Sequence, residues 1–232
     1  MTIQLQALAP LTSPIEGDPQ HSYWLAFRAF LHFVENPTSI EAVFAIAETL
    51  KSTQFQTQAI AHLAAIPEIQ PLIQQRYLSD TPDLAALSEL PPGSLGHSYA
   101  LHIQQANLDP DFYPKMQVCD DASYLILRLR QTHDIWHVVT GFGTEGLGEL
   151  QLQAFSLAQT HLPIAAAVLA SGIWKILLQM PEHLDLLMQS LYRAYELGQN
   201  AKPLLAQRWE QEWEKPLIQW QRDLGIAIND RR

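Results

Sequence analysis

Two histidines four residues apart, His133 and His137, open the stretch HDIWHVVTGFGTEGLGE that ends at Glu149. On a helix such residues share a face, about 6 Å apart, so both imidazoles can address one ion. Asp134 lies about 100° further round and reaches that ion only from the side, either as a ligand or as a group behind one. Glu149 follows a segment carrying Gly141, Gly143, Gly146 and Gly148. These glycines let the backbone reverse and set a second helix beside the first, with Glu149 facing the histidines. Two neutral imidazoles with one or two carboxylates suit a divalent metal, zinc best, with iron, manganese and magnesium compatible. The bland alternative has the histidines together by chance, Asp134 paired with Arg130 four residues earlier, and Glu149 capping the next helix.

The spacing excludes some metal chemistry. In the HExxH zinc peptidases a Glu stands where this chain has Asp134, and Glu149 lies twelve residues after His137, matching neither usual position of a third ligand. An HD doublet also serves metal-dependent phosphohydrolases, but no separated, matching set of His and Asp residues accompanies it.

As a whole the pattern resembles the Coq4 family of ubiquinone biosynthesis, whose signature is HDxxH, eleven residues, then Glu: here His133, Asp134, His137 and Glu149. The likeness extends upstream through Arg128, Arg130, Gln131 and Thr132 and downstream from Thr140 and Gly141 to Gly148. It takes in LPPGSLG, Leu90 to Gly96, and PLLAQRWEQEWEKPL, Pro203 to Leu217, and so covers about Pro91 to the C-terminus. Two places depart. Gln153 and Ser156 stand where the family often has a basic and an acidic side chain, and His97 stands where an Arg commonly follows the LG.

The resemblance implies a role in assembling a prenylated quinone, with removal of a ring carboxylate at C1 and oxidation at that carbon. His133, Asp134, His137 and Glu149 become the candidate catalytic and metal residues, the ion acting as Lewis acid. Arg128 or Arg130 would grip the anionic ring, the alternative being a solvated or salt-bridged basic turn, and apolar helices would take the isoprenoid tail. The ligand is then an isoprenoid lipid or quinone precursor, and other quinone-biosynthesis proteins are the expected partners. Three rivals stand beside this: a non-catalytic prenyl-lipid-binding or scaffold protein with a structural ion, a phosphohydrolase, and a helical interaction protein with no site.

Composition bounds the partners. The net charge of −10 argues against nucleic acid and against electrostatic recruitment to anionic lipid, leaving at most an apolar, peripheral membrane contact. The strictly apolar run Ile164 to Ala170 is far short of the ~20 residues of a membrane span. Cys119 is alone, so no intrachain disulfide forms, and its expected role is packing. No Lys or Arg precedes Arg28, which speaks against a secretory n-region or an Arg-rich presequence and for a cytoplasmic chain.

The elements that must position the motif read as helices throughout. We expect a single all-α domain of about ten helices across residues 1–232: an extended arm over 1–20, an N-terminal helical layer over 21–90, and the metal-motif half over 91–232. Tyr124 to Arg130 alternates like a strand, but no breaker separates it from HDIWH, so it reads as helix, capped by Asp121. Ala165 to Gly172 is a small-residue helix segment, suited to close packing or to leaving room for an apolar ligand. A last long helix from Pro203 would align Leu205, Trp209, Trp213, Leu217, Trp220 and Leu224, kinked at Pro216, as core or as a homodimer seam.

Overall fold

The computed structural model describes residues 19–36, 39–110 and 116–226. The expected arm falls outside them except for Pro19 and Gln20, which begin a helix, and so does most of the loop read at Pro110 to Pro114. Among the described residues there are eleven α-helices and no strand, in the order α1 (Pro19–Glu35), α2 (Ile40–Leu50), α3 (Gln54–Ala65), α4 (Gln70–Gln75), α5 (Leu84–Ser88), α6 (Leu95–Gln105), α7 (Asp121–Thr140), α8 (Gly146–Thr160), α9 (Pro163–Gln179), α10 (Leu184–Asn200) and α11 (Leu217–Leu224). The all-α reading holds, in a single domain.

The central helix is α7. Its start is fixed by Asp120 rather than Asp121: the Asp120 side chain accepts from the Ser123 backbone N–H at 2.7 Å, and Ser123 Oγ accepts from the Asp120 N–H at 2.9 Å. This reciprocal capping satisfies two otherwise orphaned donors. Leu125, Ile135, Trp136 and Val139 are all buried on α7, each contributing about 1.5–3 kcal/mol by burial. The leucine alternation that imitates a strand is therefore overruled by the cap and by contacts on more than one side of the helix.

Glycine sets two close approaches. At Gly198 of α10 an added Cβ would lie 2.6 Å from the Phe155 carbonyl oxygen of α8, and at Gly172 of α9 one would lie 2.5 Å from Leu150 Cδ2 of α8. Helices α9 and α10 thus pack tightly on α8, which carries Glu149.

The expected long helix from Pro203 does not form. The chain makes two short 3-10 turns, Leu204–Ala206 and Trp209–Gln211, and becomes α-helical only at Leu217. Its backbone has another use. The carbonyls of Lys215 and Trp213 accept from the N–H groups of Leu95 and Gly96 at 3.0 and 2.8 Å, and Leu217 N–H donates to the Gly93 carbonyl at 2.9 Å. The free donors at the start of α6 are thereby satisfied by a distant segment, which a continuous helix could not do. Trp209 and Trp220 are still core, 4.7 Å apart between ring centroids, and Trp213 packs on Tyr99 at 5.3 Å.

Cys119 is exposed, against the packing role expected of it. Arg128 corrects a larger expectation. Its side chain is 0% exposed, Nη1 and Nη2 both bond Glu210, the latter at 3.0 Å, and Nη2 also donates to the Gln207 carbonyl at 2.8 Å. Its guanidinium is turned onto the C-terminal segment.

Removing one partner of such a pair strands a buried charge. Glu210→Leu should cost about 3–5 kcal/mol. In thermal unfolding this is a drop in Tm of about 6–20 °C. A shift under 2 °C would show that the pair does not hold the segment in place.

Candidate metal centre and family membership

Gly141, at φ 73°, ends α7 in the left-handed conformation and turns the chain so that the Phe142 carbonyl comes back onto the helix. His137 Nδ1 lies 3.0 Å from that oxygen. An N–H at Nδ1 donates to the carbonyl, which leaves the Nε2 lone pair facing the site. The ring of His133 meets that of His137 edge-on, with centroids 4.9 Å apart and planes at 88°.

The third group comes from the first turn of α8. Its approach depends on Gly148, where an added Cβ would run into the Gly143 backbone. Glu149 Oε2 lies 3.2 Å from His137 Nε2 and 3.7 Å from His133 Nε2. Its Oε1 accepts from Gln153 Nε2, one turn further along α8, at 2.8 Å. One ligand atom from each of His133, His137 and Glu149 lies within 4.8 Å of the other two, and among the described residues no other group of three does so. Two imidazole nitrogens and a carboxylate oxygen at this separation fit a divalent ion, with positions left open as in catalytic sites.

Asp134 is not in this cluster. It is half-buried, and its charge is felt by His133 and by Tyr99 and His102 of α6. Of the two roles open to it from sequence, the geometry favours a group behind the ligands. Arg130 lies over the Phe44 ring, 4.9 Å from its centroid, and near Met116 Sδ.

Two neighbours complete the surroundings, His102, whose sequence context reads as packing or surface rather than as a ligand, and Gln153. His102 stacks on His137, with centroids 5.6 Å apart and planes at 25°, and its Nε2 is buried without a hydrogen-bond partner. Nothing local signals this, because the approach of α6 to α7 brings the rings together. Gln153 was noted only as a departure, although its four-residue spacing from Glu149 was a legible cue.

The electrostatics are those of a preformed ion pair. Burial pulls Glu149 upward, but hydrogen bonds from His133 and His137 and their charge outweigh it, holding the carboxyl well below the usual carboxylate range. Burial pulls His133 down, while Glu149 and Asp134 more than offset this and leave it raised.

An apolar groove adjoins the cluster. It encloses about 390 Å³ between α1, α8, α9 and α10, and Glu149 lines it together with Leu150, Val168, Ile176 and Leu187.

The model of the family "Coenzyme Q (ubiquinone) biosynthesis protein Coq4" matches residues 19–230. The chain belongs to the Coq4 family. It is 32% identical over 165 residues to the mitochondrial COQ4 homolog of Rattus norvegicus, covering 69% of this chain and 62% of that protein. It is 28% identical over 165 residues to the mitochondrial homolog of Aedes aegypti, covering 70% and 58%. The chain thus spans about three fifths of the length of these curated relatives. The crystal structure of a Nostoc punctiforme protein assigned to ubiquinone biosynthesis superposes with a TM-score of 0.79 at 36% identity, covering 89% of this Coq4 chain and 99% of that one.

Two outcomes are expected of this centre. Glu149→Ala and His133→Ala should each abolish stoichiometric divalent metal by elemental analysis, and Gln153→Ala should weaken metal affinity roughly 10- to 100-fold. Stoichiometric metal in both alanine variants would defeat the assignment. In the metal-free protein, the raised His133 stabilises the fold below the ordinary histidine value of 6.5 and loses that contribution as pH rises through its folded value. The depressed Glu149 contributes above the ordinary value of 4.5 and loses its contribution as pH falls through its folded value. The pair therefore stabilises most between 4.5 and 6.5, and Glu149→Gln should flatten the Tm–pH profile across that window.

Proposed function

We propose that this chain acts in ubiquinone-type biosynthesis by holding a prenylated hydroxybenzoate, ring at the His133–His137–Glu149 cluster and tail in the adjoining groove, and promoting loss of the ring carboxylate at C1. One observation carries the reading: Glu149 belongs both to the cluster and to the groove wall, so a ligand lying in the groove meets the cluster through Glu149. Family membership supports the pathway, and the groove's volume lies in the range of small-molecule sites.

In the reaction the bond between C1 and the carboxylate breaks, CO2 departs, and the electron pair left on the ring carbon is taken up by a proton. A divalent ion, zinc best suited, would supply Lewis acidity toward a ring hydroxyl or carboxylate. The chain's own groups supply order. Phe142 fixes the tautomer of His137, Gln153 fixes Glu149, and Asp134 adds negative charge behind His133. Groups so held need no reorganisation as charge develops. Burial of the isoprenoid tail against the apolar wall carries the ring with it and excludes water around it.

The groove opens onto apolar surface. Leu147, Met180 and Leu186 line it and remain exposed, while Trp174, Leu177 and Leu178 are exposed on α9 beside it. No helix among the described residues is long and apolar enough to cross a membrane. This rim suits peripheral contact with a bilayer of low charge, where a lipid-soluble substrate would be collected, since a net charge of −10 opposes an anionic one.

The test combines native mass spectrometry with CO2 release from a polyprenylated hydroxybenzoate. Wild type should carry metal, bind the lipid and release CO2. Ile176→Trp, which narrows the groove, should keep its metal and lose lipid binding. Metal and lipid bound without CO2 release would leave a binding or scaffold protein and end the catalytic reading.

A further inference from the structure

The sequence assigned the grip on an anionic ring to Arg128 or Arg130, yet Arg128 is consumed by Glu210 and Gln207 and Arg130 lies over Phe44. A carboxylate drawn into an apolar groove still requires a counter-charge, because an unpaired buried anion is strongly disfavoured. The groove itself holds the candidate. Its lining is apolar apart from few groups, and its basic members are Lys175 of α9 and His183. His183 already faces a carboxylate, with Nδ1 3.3 Å from Glu182 Oε1. Lys175 is half-buried, and none of the ion pairs among the described residues involves it.

Its place in the fold is fixed by a close contact. The chain turns back between α8 and α9, and Gly172 rests against Leu150. From that crossing α9 runs on to Lys175, one turn later, while the neighbouring strip of α8 holds Glu149, Leu147 and Gly146, all of which line the same groove. Lys175 and Glu149 therefore line the same cavity from two helices packed against each other. A long aliphatic stem suits this position, since its methylenes can lie along the apolar wall while the ammonium stays free to meet an anion.

We propose that Lys175 is the residue that recognises the anionic group of the ligand, pairing with its carboxylate inside the groove that Glu149 also lines and so selecting acidic over neutral isoprenoids. This rests on the reading of the groove as a prenyl-lipid site, but it needs no metal. Recognition by Lys175 orients the ligand head-first toward the histidines, and a neutral molecule of the same length lacks that anchor.

The test compares farnesoic acid with farnesol, a carboxylic acid and an alcohol sharing one isoprenoid chain, on the full chain stripped of metal with EDTA. Affinity is read by calorimetry. Wild type should bind the acid about tenfold more tightly than the alcohol, the scale of a hydrogen bond to a charged group. Lys175→Met should remove that preference by weakening the acid alone, and Lys175→Arg should restore it. Equal affinities in wild type, an unaltered preference in Lys175→Met, or an equal loss for both ligands would each overturn the assignment while leaving the groove reading intact. Binding of neither compound to wild type would overturn both. Native Tm and circular dichroism of each variant separate these results from misfolding.

Discussion

A single carboxylate held between two imidazoles is the constraint that orders this structure. Glu149 Oε2 sits 3.2 Å from one histidine nitrogen and 3.7 Å from another, while His137 is almost wholly buried. Placing three polar groups there requires that each be satisfied from behind, and the fold supplies this piece by piece. The Gly141 turn returns the Phe142 carbonyl to His137, and the next turn of α8 returns Gln153 to Glu149. The glycine-bearing loop thus does more than reverse the chain: it delivers the hydrogen-bond acceptor that aims one of the ligands.

The three sequence segments that carry the family resemblance are far apart in the chain and adjacent in space. Leu90 to Gly96 leads into α6, whose first N–H groups are satisfied by carbonyls from the Trp213 to Lys215 stretch. The same C-terminal region receives Arg128 from the motif helix through Glu210 and Gln207. Only one of these segments contains the metal-type ligands. The other two brace α6 and α7, and α6 in turn presses His102 against His137.

What could be read in advance follows the reach of each interaction. The pairing of His133 with His137 and the arrival of Glu149 depend on helical spacing and a short glycine-rich connection, both local in sequence. The fate of Arg128 depends on a residue 82 positions away, so nothing near it distinguishes a ligand clamp from a buried strut. The tryptophan stripe after Pro203 has helical spacing but is not one continuous helix, because Pro216 lacks an N–H and the surrounding backbone is recruited by Ser94 and its neighbours. Periodicity reported correctly that these rings are core and misreported the path that delivers them. Asp134 illustrates a finer limit: adjacency to His133 places it near the cluster, but only the approach of α6 shows that its charge also acts on Tyr99 and His102.

The bracing of α6 and α7 by residues 207–217 also sets an order of events during synthesis. While the chain is still emerging from the ribosome, the motif helix exists before Glu210 does, with Arg128 lacking its counter-ion and α6 lacking the carbonyls of its first turn. Mature geometry at the histidines therefore waits for a stretch made well after the motif, and until then the unfinished protein exposes an apolar interior of the kind that chaperones recognise.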